Sequence, residues 1–208
     1  MPTLSEYLKD PCGTLSIPYH KNKVIAVPQS MMIVHNRDFS PDLLEGYTDE
    51  PYFRLKHDLK SIPCIARPGF SVRTADNKDL SLIADIINRS YNDLSITENR
   101  LETMRASPVF DKDLWIIVID DAADRPIACG IAELDNEARE GILEWIQVVP
   151  EYRGCGVGSL IVSELIKRIS KKADFATVSG KARDICPEML YRKCGFSGND
   201  IWHILRQK

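Results

Sequence analysis

Arg153-Gly154-Cys155-Gly156-Val157-Gly158 lies between an apolar, strand-like run (141–149) and an amphipathic stretch with helical spacing that starts near Gly156. Three glycines at alternate positions spell a tight strand-to-helix turn. Such a turn presents bare backbone N–H groups and the positive end of a helix dipole. Without Cβ atoms the backbone can approach an anion closely. The stretch therefore points to a ligand that carries phosphate or pyrophosphate.

The flanking sequence sets the architecture. Upstream, 70–73 alternates like a strand. Asp76 suits an N-cap, and Leu80, Ile83, Ala84, Ile87 and Tyr91 follow at helical spacing. A short helix after Thr97 would bury Leu101 and Met104. Residues 114–119, 127–134 and 141–149 are apolar runs joined by short polar turns, the pattern of an antiparallel meander. Downstream, the helix over about 156–171 shows Val157, Ile161, Leu165 and Ile169 on one face, with Leu160, Val162 and Ile166 beside it. Glu164 and Arg168 form an i,i+4 pair on its polar side. A strand at 174–179, a short helix at 187–193 capped by Gly195, and a last strand at 201–205 complete the pattern.

The first 70 residues differ. They hold eight of the twelve prolines and four of the seven tyrosines. Proline fixes φ and removes a donor, so turns, short helices and extended pieces are expected. The apolar content argues for an ordered segment packed on something. Residues 63–69 read as a linker, dividing the chain into an extension of unknown role at 1–69 and a main domain at 70–208.

Composition narrows the class. A net charge of −3 leaves no electrostatic footprint for nucleic acid. No apolar run is long enough to span a membrane, and the first residues lack the regions of a signal peptide. A cytoplasmic protein is expected. The six cysteines form no CxxC pair and the four histidines no HExxH, so no metal is expected and the thiols are read as reduced.

Three phosphate-binding patterns compete for the glycine turn. A P-loop requires Lys-Ser or Lys-Thr after its last glycine, and none follows. A dinucleotide fingerprint requires a parallel βαβ unit and an acidic residue at the end of the next strand. Here a meander precedes the turn, and the next strand ends Val178-Ser179-Gly180. The third pattern fits. A strand ending Val-x-Pro, followed by Glu151-Tyr152-Arg153-Gly154-x-Gly156-x-Gly158 and a helix, resembles motif A of the GCN5-related N-acetyltransferases (GNAT family). That motif reads Gln/Arg-x-x-Gly-x-Gly/Ala, which Arg153, Gly156 and Gly158 fill. Some 35 residues on, Leu190-Tyr191-Arg192-Lys193-Cys194-Gly195-Phe196 looks like the family's closing Leu-Tyr-x-x-x-Gly-Phe. The resemblance covers 70–208 and leaves 1–69 unaccounted for.

The resemblance implies a GNAT-like α/β (α+β) fold: a mixed, mostly antiparallel central sheet with helices on both faces, preceded here by an irregular N-terminal extension. It implies acetyl-CoA as acetyl donor. Backbone N–H groups of Arg153, Gly154, Cys155, Gly156, Val157, Gly158 and Ser159 would hold the pyrophosphate. Ile146, Gln147 and Val148 would pair with the pantetheine arm. Arg153's side chain either contacts phosphate or packs over the loop. The implied activity is direct transfer to a primary amine in a ternary complex: a small amine, an amino acid, an antibiotic or a protein N-terminus. The alternative is a non-catalytic GNAT fold, either a CoA-binding sensor or an interaction module whose extension docks a partner.

An amine with pKa about 10 must lose a proton before it attacks. Glu144, nine residues before Arg153 at a position often acidic in the family, is the candidate base. Simple alternation places Ile142, Glu144, Ile146 and Val148 on one strand face. A carboxylate among apolar residues needs a role or a partner. The competing reading is a salt-bridged or strand-edge glutamate, with Glu133 and Glu140 as weaker candidates. Tyr191 is the family's candidate acid for the leaving thiolate, against a plain core tyrosine. The Val148 N–H would hold the oxyanion. Cys155 reads as a filler or as a thiol activated by the helix N-terminus. Gly180-Lys181 stands where many relatives carry Asn, so Lys181 or Lys193 are alternative phosphate contacts. His203 reads as packed or paired. Tyr47, Tyr52 and Phe53 are read as lining the acceptor side or a homodimer contact. The slight acidic excess favours a cationic acceptor.

Overall fold

The computed structural model describes residues 1–90 and 95–208. Its strands are β1 (Met31–His35), β2 (Tyr47–His57), β3 (Phe70–Thr74), β4 (Phe110–Asp120), β5 (Arg125–Asp135), β6 (Glu140–Val148), β7 (Phe175–Lys181) and β8 (Ser197–Gln207). Its helices are α1 (Leu4–Lys9), α2 (Pro11–Thr14), α3 (Tyr19–Asn22), α4 (Leu80–Ser90), α5 (Glu98–Arg105), α6 (Val157–Ile169) and α7 (Ile185–Lys193). The fold is mixed α/β with mostly antiparallel strands. The chain divides into two compact units, Leu59–Ala176, and Met1–Asp58 together with Thr177–Lys208. Among the described residues no helix is long and apolar enough to cross a membrane.

In the unit Leu59–Ala176 the strand order is β6-β5-β4-β3, every pair antiparallel. The meander expected from the sequence is present. Asp76 caps a 3₁₀ turn, Asn77–Asp79, that leads into α4. Both Arg73 Nη atoms reach the Asp79 carboxylate at 2.7 Å. Ile83, Ile86 and Ile87 of α4 are buried; Tyr91, assigned to the same face, lies outside the described residues. Helix α4 packs on β5 and β6, and α6 on β4, β5 and β6.

The position of α6 follows from a missing side chain. A Cβ on Gly130 of β5 would lie 2.4 Å from Ile161 and 3.1 Å from Ile116 and Leu165. Glycine thus lets α6 settle onto the sheet. Val157, Ile161, Val162, Leu165, Ile166 and Ile169 are all essentially inaccessible to solvent, so the predicted face and its flank are both core. Glu164 and Arg168 pair as expected, Oε1 to Nε 2.8 Å. Arg168 also donates to Thr74 Oγ1 and the Asp113 carbonyl.

One element departs from simple alternation. Ala132 lies opposite Leu143 and Ile131 opposite Trp145, so Glu144 is an extra residue, a β-bulge in β6. Strand partners share a face. Gly141 and Leu143 lie on the α6 face, as do Ile146 and Val148, the partners of Gly130 and Ala128. Ile142, opposite Glu133, is on the other face. The sequence count that put Ile142 with Ile146 and Val148 fails because it assumed an unbroken period of two.

In the other unit the strand order is β1-β8-β2-β7, with β8 antiparallel to both its neighbours. Most of the predicted extension belongs here, and it supplies two strands besides its short helices. Its packing partners are now visible. The fully buried Arg54 of β2 donates to the Pro11 carbonyl (3.2 Å), the Tyr7 hydroxyl (2.9 Å) and Ser179 Oγ (3.2 Å). Trp202 Nε1 of β8 donates to the Cys12 carbonyl at 2.7 Å. Helices α1 and α2 are thereby tied to β2 and β8.

Candidate active site

The glycine turn is built as the sequence suggests. After β6 the chain makes a 3₁₀ turn, Pro150–Tyr152, and Gly156 becomes the N-cap of α6 with φ +81°. Gly154 also has φ +81°, and the space its Cβ would enter is open to 4 Å. These are left-handed conformations that glycine adopts without strain. The first helical bond runs from the Leu160 N–H to the Gly156 carbonyl, so the N–H groups of Val157, Gly158 and Ser159 precede the ladder. A turn of this kind at the head of a helix can accept an anion.

The residues before the glycines act as struts. The Tyr152 hydroxyl donates to Asp120 Oδ2 at 2.5 Å and accepts from Arg125 Nη2 at 2.9 Å. That hydrogen bond from Tyr152 holds the Asp120 carboxyl below the ordinary carboxylate range. Glu151 bridges to Arg89 at 3.0 Å. Arg153 donates from Nε to the Val148 carbonyl (3.2 Å) and from Nη2 to the Ser90 carbonyl (2.9 Å). Its side chain therefore packs over the loop and joins β6 to the last turn of α4. Cys155 is exposed, with Sγ 3.9 Å from the Arg153 carbonyl.

On β6, Ile146 and Val148 are half-buried and Gln147 is buried. The three glutamates differ in access. Glu133 and Glu140 are buried, Glu140 completely, whereas Glu144 is half-buried at the bulge. A group that exchanges protons with a substrate must be reachable, and Glu144 is the most accessible of the three.

Tyr191 belongs to the other unit. It is 8% exposed, with its ring centroid 5.9 Å from that of Phe196 and 6.2 Å from that of Phe53. Phe53 is itself buried and leans over Gly180, where a Cβ would lie 2.6 Å from its ring. Phe53 is thus a core residue of this unit. A side chain at position 180 would therefore collide with that ring. Lys181 pairs with Glu50 at 2.9 Å, which lowers the Glu50 carboxyl. His203 lies between Asp49 (3.0 Å) and Asn36 (3.2 Å), stacked on Phe39, a paired and packed histidine. Among the described residues no cluster of three or more His, Cys, Asp or Glu could hold a metal.

Comparison with known proteins identifies the class. Residues 111–198 match the family described as Acetyltransferase (GNAT) domain. Residues 111–198 are thus similar to a GNAT acetyltransferase domain. Over 91 residues it is 29% identical to the uncharacterized N-acetyltransferase CgeE of Bacillus subtilis, a match that covers 42% of this chain and 34% of that one. Two solved structures share the fold. The GCN5-related N-acetyltransferase of Sphaerobacter thermophilus superposes with a TM-score of 0.69 at 16% identity, covering 90% of this chain and 63% of that one. The ribosomal-protein-S18-alanine N-acetyltransferase of Escherichia coli gives 0.54 at 17% identity, covering 65% and 91%. The chain thus spans about a third of the curated relative and under two thirds of the Sphaerobacter structure.

Proposed function

We propose that the chain transfers an acetyl group from acetyl-CoA to a primary amine. The observation that carries the reading is the cradle at the head of α6. Two left-handed glycines, open space at Gly154 and N–H groups ahead of the helical ladder suit a pyrophosphate. Backbone groups of residues 153–159 would hold it, with the Arg153 side chain bracing the loop. Ile146, Gln147 and Val148 would pair with the amides of the pantetheine arm. Among the described residues no cysteine is in a disulfide, which suits a cytoplasmic setting.

Acetyl-CoA supplies an activated thioester. The chain's own groups do the rest. Glu144 removes a proton from the ammonium, directly or through water, so that the amine lone pair attacks the carbonyl carbon. The Val148 N–H stabilises charge on the carbonyl oxygen. As the C–N bond forms and the C–S bond breaks, Tyr191 protonates the departing sulfur, and the second proton that the nitrogen sheds on becoming an amide restores the tyrosine hydroxyl through solvent. Direct attack in a ternary complex needs no covalent enzyme intermediate.

Isothermal titration with acetyl-CoA, followed by a free-thiol release screen across amine classes, tests the reading. Micromolar binding and turnover of at least one amine class are expected. Absence of binding sinks it, whereas binding without turnover of any amine leaves only a CoA-binding module.

A further inference from the structure

Residues 62–68 are not a slack linker. The Ser163 hydroxyl on α6 donates to the Pro63 carbonyl and accepts from the Ile65 N–H at 3.3 Å. At the other end the Phe70 N–H donates to the Arg67 carbonyl at 3.2 Å, closing a turn in which Gly69 has φ +85°. The strap is therefore pinned to α6 just before Arg67 and closed by a turn just after it. Beneath it runs a groove of about 580 Å³, whose lining includes Ile62, Ile65, Leu160 and Lys167.

Between these points, Arg67 reaches the glycine turn. A Cβ built on Gly156 would lie 2.4 Å from Arg67 Nε and 2.8 Å from Cζ and Nη2. The guanidinium therefore rests on the N-cap of α6. Its Nε is buried without a hydrogen-bond partner among the described residues. Arginine is always charged and carries five donors but no acceptor. A helix N-terminus is also positive. Two positive groups are thus held together, one of them a half-buried side chain whose Nε has no partner among the described residues. Leaving such a donor unsatisfied is costly, and an anion at the turn would resolve both problems.

We propose that Arg67 is a phosphate ligand: the strap at 62–68 carries its guanidinium onto the glycine turn, where it binds the pyrophosphate of the acyl donor opposite the helix N-terminus. The assignment rests on the acetyl-CoA reading above and adds a contact from outside the glycine motif. It commits to the pyrophosphate because the guanidinium touches Gly156, at the head of α6.

The test is titration of the full chain and of Arg67→Met with CoA, dephospho-CoA and pantetheine, alongside melting curves with and without inorganic pyrophosphate. Arg67→Met keeps the apolar stem. We expect it to weaken CoA and dephospho-CoA equally, about tenfold or more, and to leave pantetheine unchanged. Arg67→Lys should recover part of the loss. Without ligand, Arg67→Met should melt no lower than the parent, since it removes a cation from a helix N-terminus; a purely structural arginine would give the opposite. A loss confined to CoA would move Arg67 to the 3′-phosphate and overturn the pyrophosphate assignment. Parental affinity of Arg67→Met for CoA overturns the inference and leaves the acetyl-CoA reading intact. If the parent binds pyrophosphate through Arg67 but not CoA, the phosphate site stands and the acetyl-CoA reading fails. If it binds neither, both fail.

Discussion

The Phe196 N–H donates to the Tyr191 carbonyl at 3.1 Å, while the Gly195 N–H donates to the Arg192 carbonyl at 3.0 Å. These two bonds close α7 as a Schellman cap, with Cys194 as C-cap and Gly195 at φ +96°. The ring contact between Tyr191 and Phe196 is the apolar clasp that accompanies such caps. The Leu-Tyr-x-x-x-Gly-Phe signature therefore has a structural meaning of its own. Glycine permits the left-handed turn, and phenylalanine folds back on the tyrosine that it holds in place.

Gly195→Ala should disturb that clasp. A left-handed Ala costs about 1–2 kcal/mol, and its Cβ would lie 2.7 Å from His57 Nε2. Urea denaturation should show at least that loss. Activity should fall further than stability requires, because the Tyr191 ring loses its seat against Phe196. A variant with parental stability would mean the cap can be made another way.

Much of this was legible in the sequence because it is local. The meander, the glycine turn, α6 and α7 each carry their own period, cap or glycine within a dozen residues. The unread features depend on distant partners. Tyr47–His57 contains Pro51 and the charged residues Asp49, Glu50, Arg54 and Lys56, none of which suggests a strand. It is one because β8, about 150 residues away, pairs with it, Pro51 lying opposite His203. The bulge at Glu144 is invisible to alternation, since it exists only in register with β5. Arg67 could not be linked to Gly156 without knowing that Ser163 pins the strap.

Arg54→Met asks how much the N-terminal helices depend on one side chain. The substitution keeps apolar bulk but removes the donors to the Pro11 carbonyl, the Tyr7 hydroxyl and Ser179. Hydrogen bonds from a buried cation are worth about 1.5–3 kcal/mol each, but their losses overlap at one site. A total loss of about 2–4 kcal/mol is expected, read by chemical denaturation. Limited proteolysis should cut first within residues 1–14. A loss under 1 kcal/mol would show that Trp202 and the Cys12 carbonyl suffice to hold the segment.

Glu144→Gln separates chemistry from binding. The bulge places Glu144 outside the regular ladder and leaves it half-buried, so an isosteric amide should fold normally. General bases contribute about 10²–10⁴-fold. The expected result is a kcat lower by that factor, an unchanged Kd for acetyl-CoA, and loss of the acid limb of the pH–rate profile on a confirmed acceptor. Parental kcat removes Glu144 from the mechanism.

His57 makes stability depend on pH. Its imidazole is buried, 2% exposed, beside Phe196 and Gly195. Burial pushes its pKa below the ordinary 6.5; the charge on Asp58 and a hydrogen bond to the Cys194 backbone oppose the shift without cancelling it. The unfolded chain therefore takes up this proton at a higher pH than the folded chain does. The contribution of His57 is complete above pH 6.5 and is lost as pH falls through the lowered folded value. The melting temperature should drop on acidification below pH 6.5. In His57→Leu, which keeps an apolar group of similar reach, that part of the slope should disappear while the carboxylate-dependent loss at lower pH remains. An unchanged slope in the variant would assign the pH dependence to other groups.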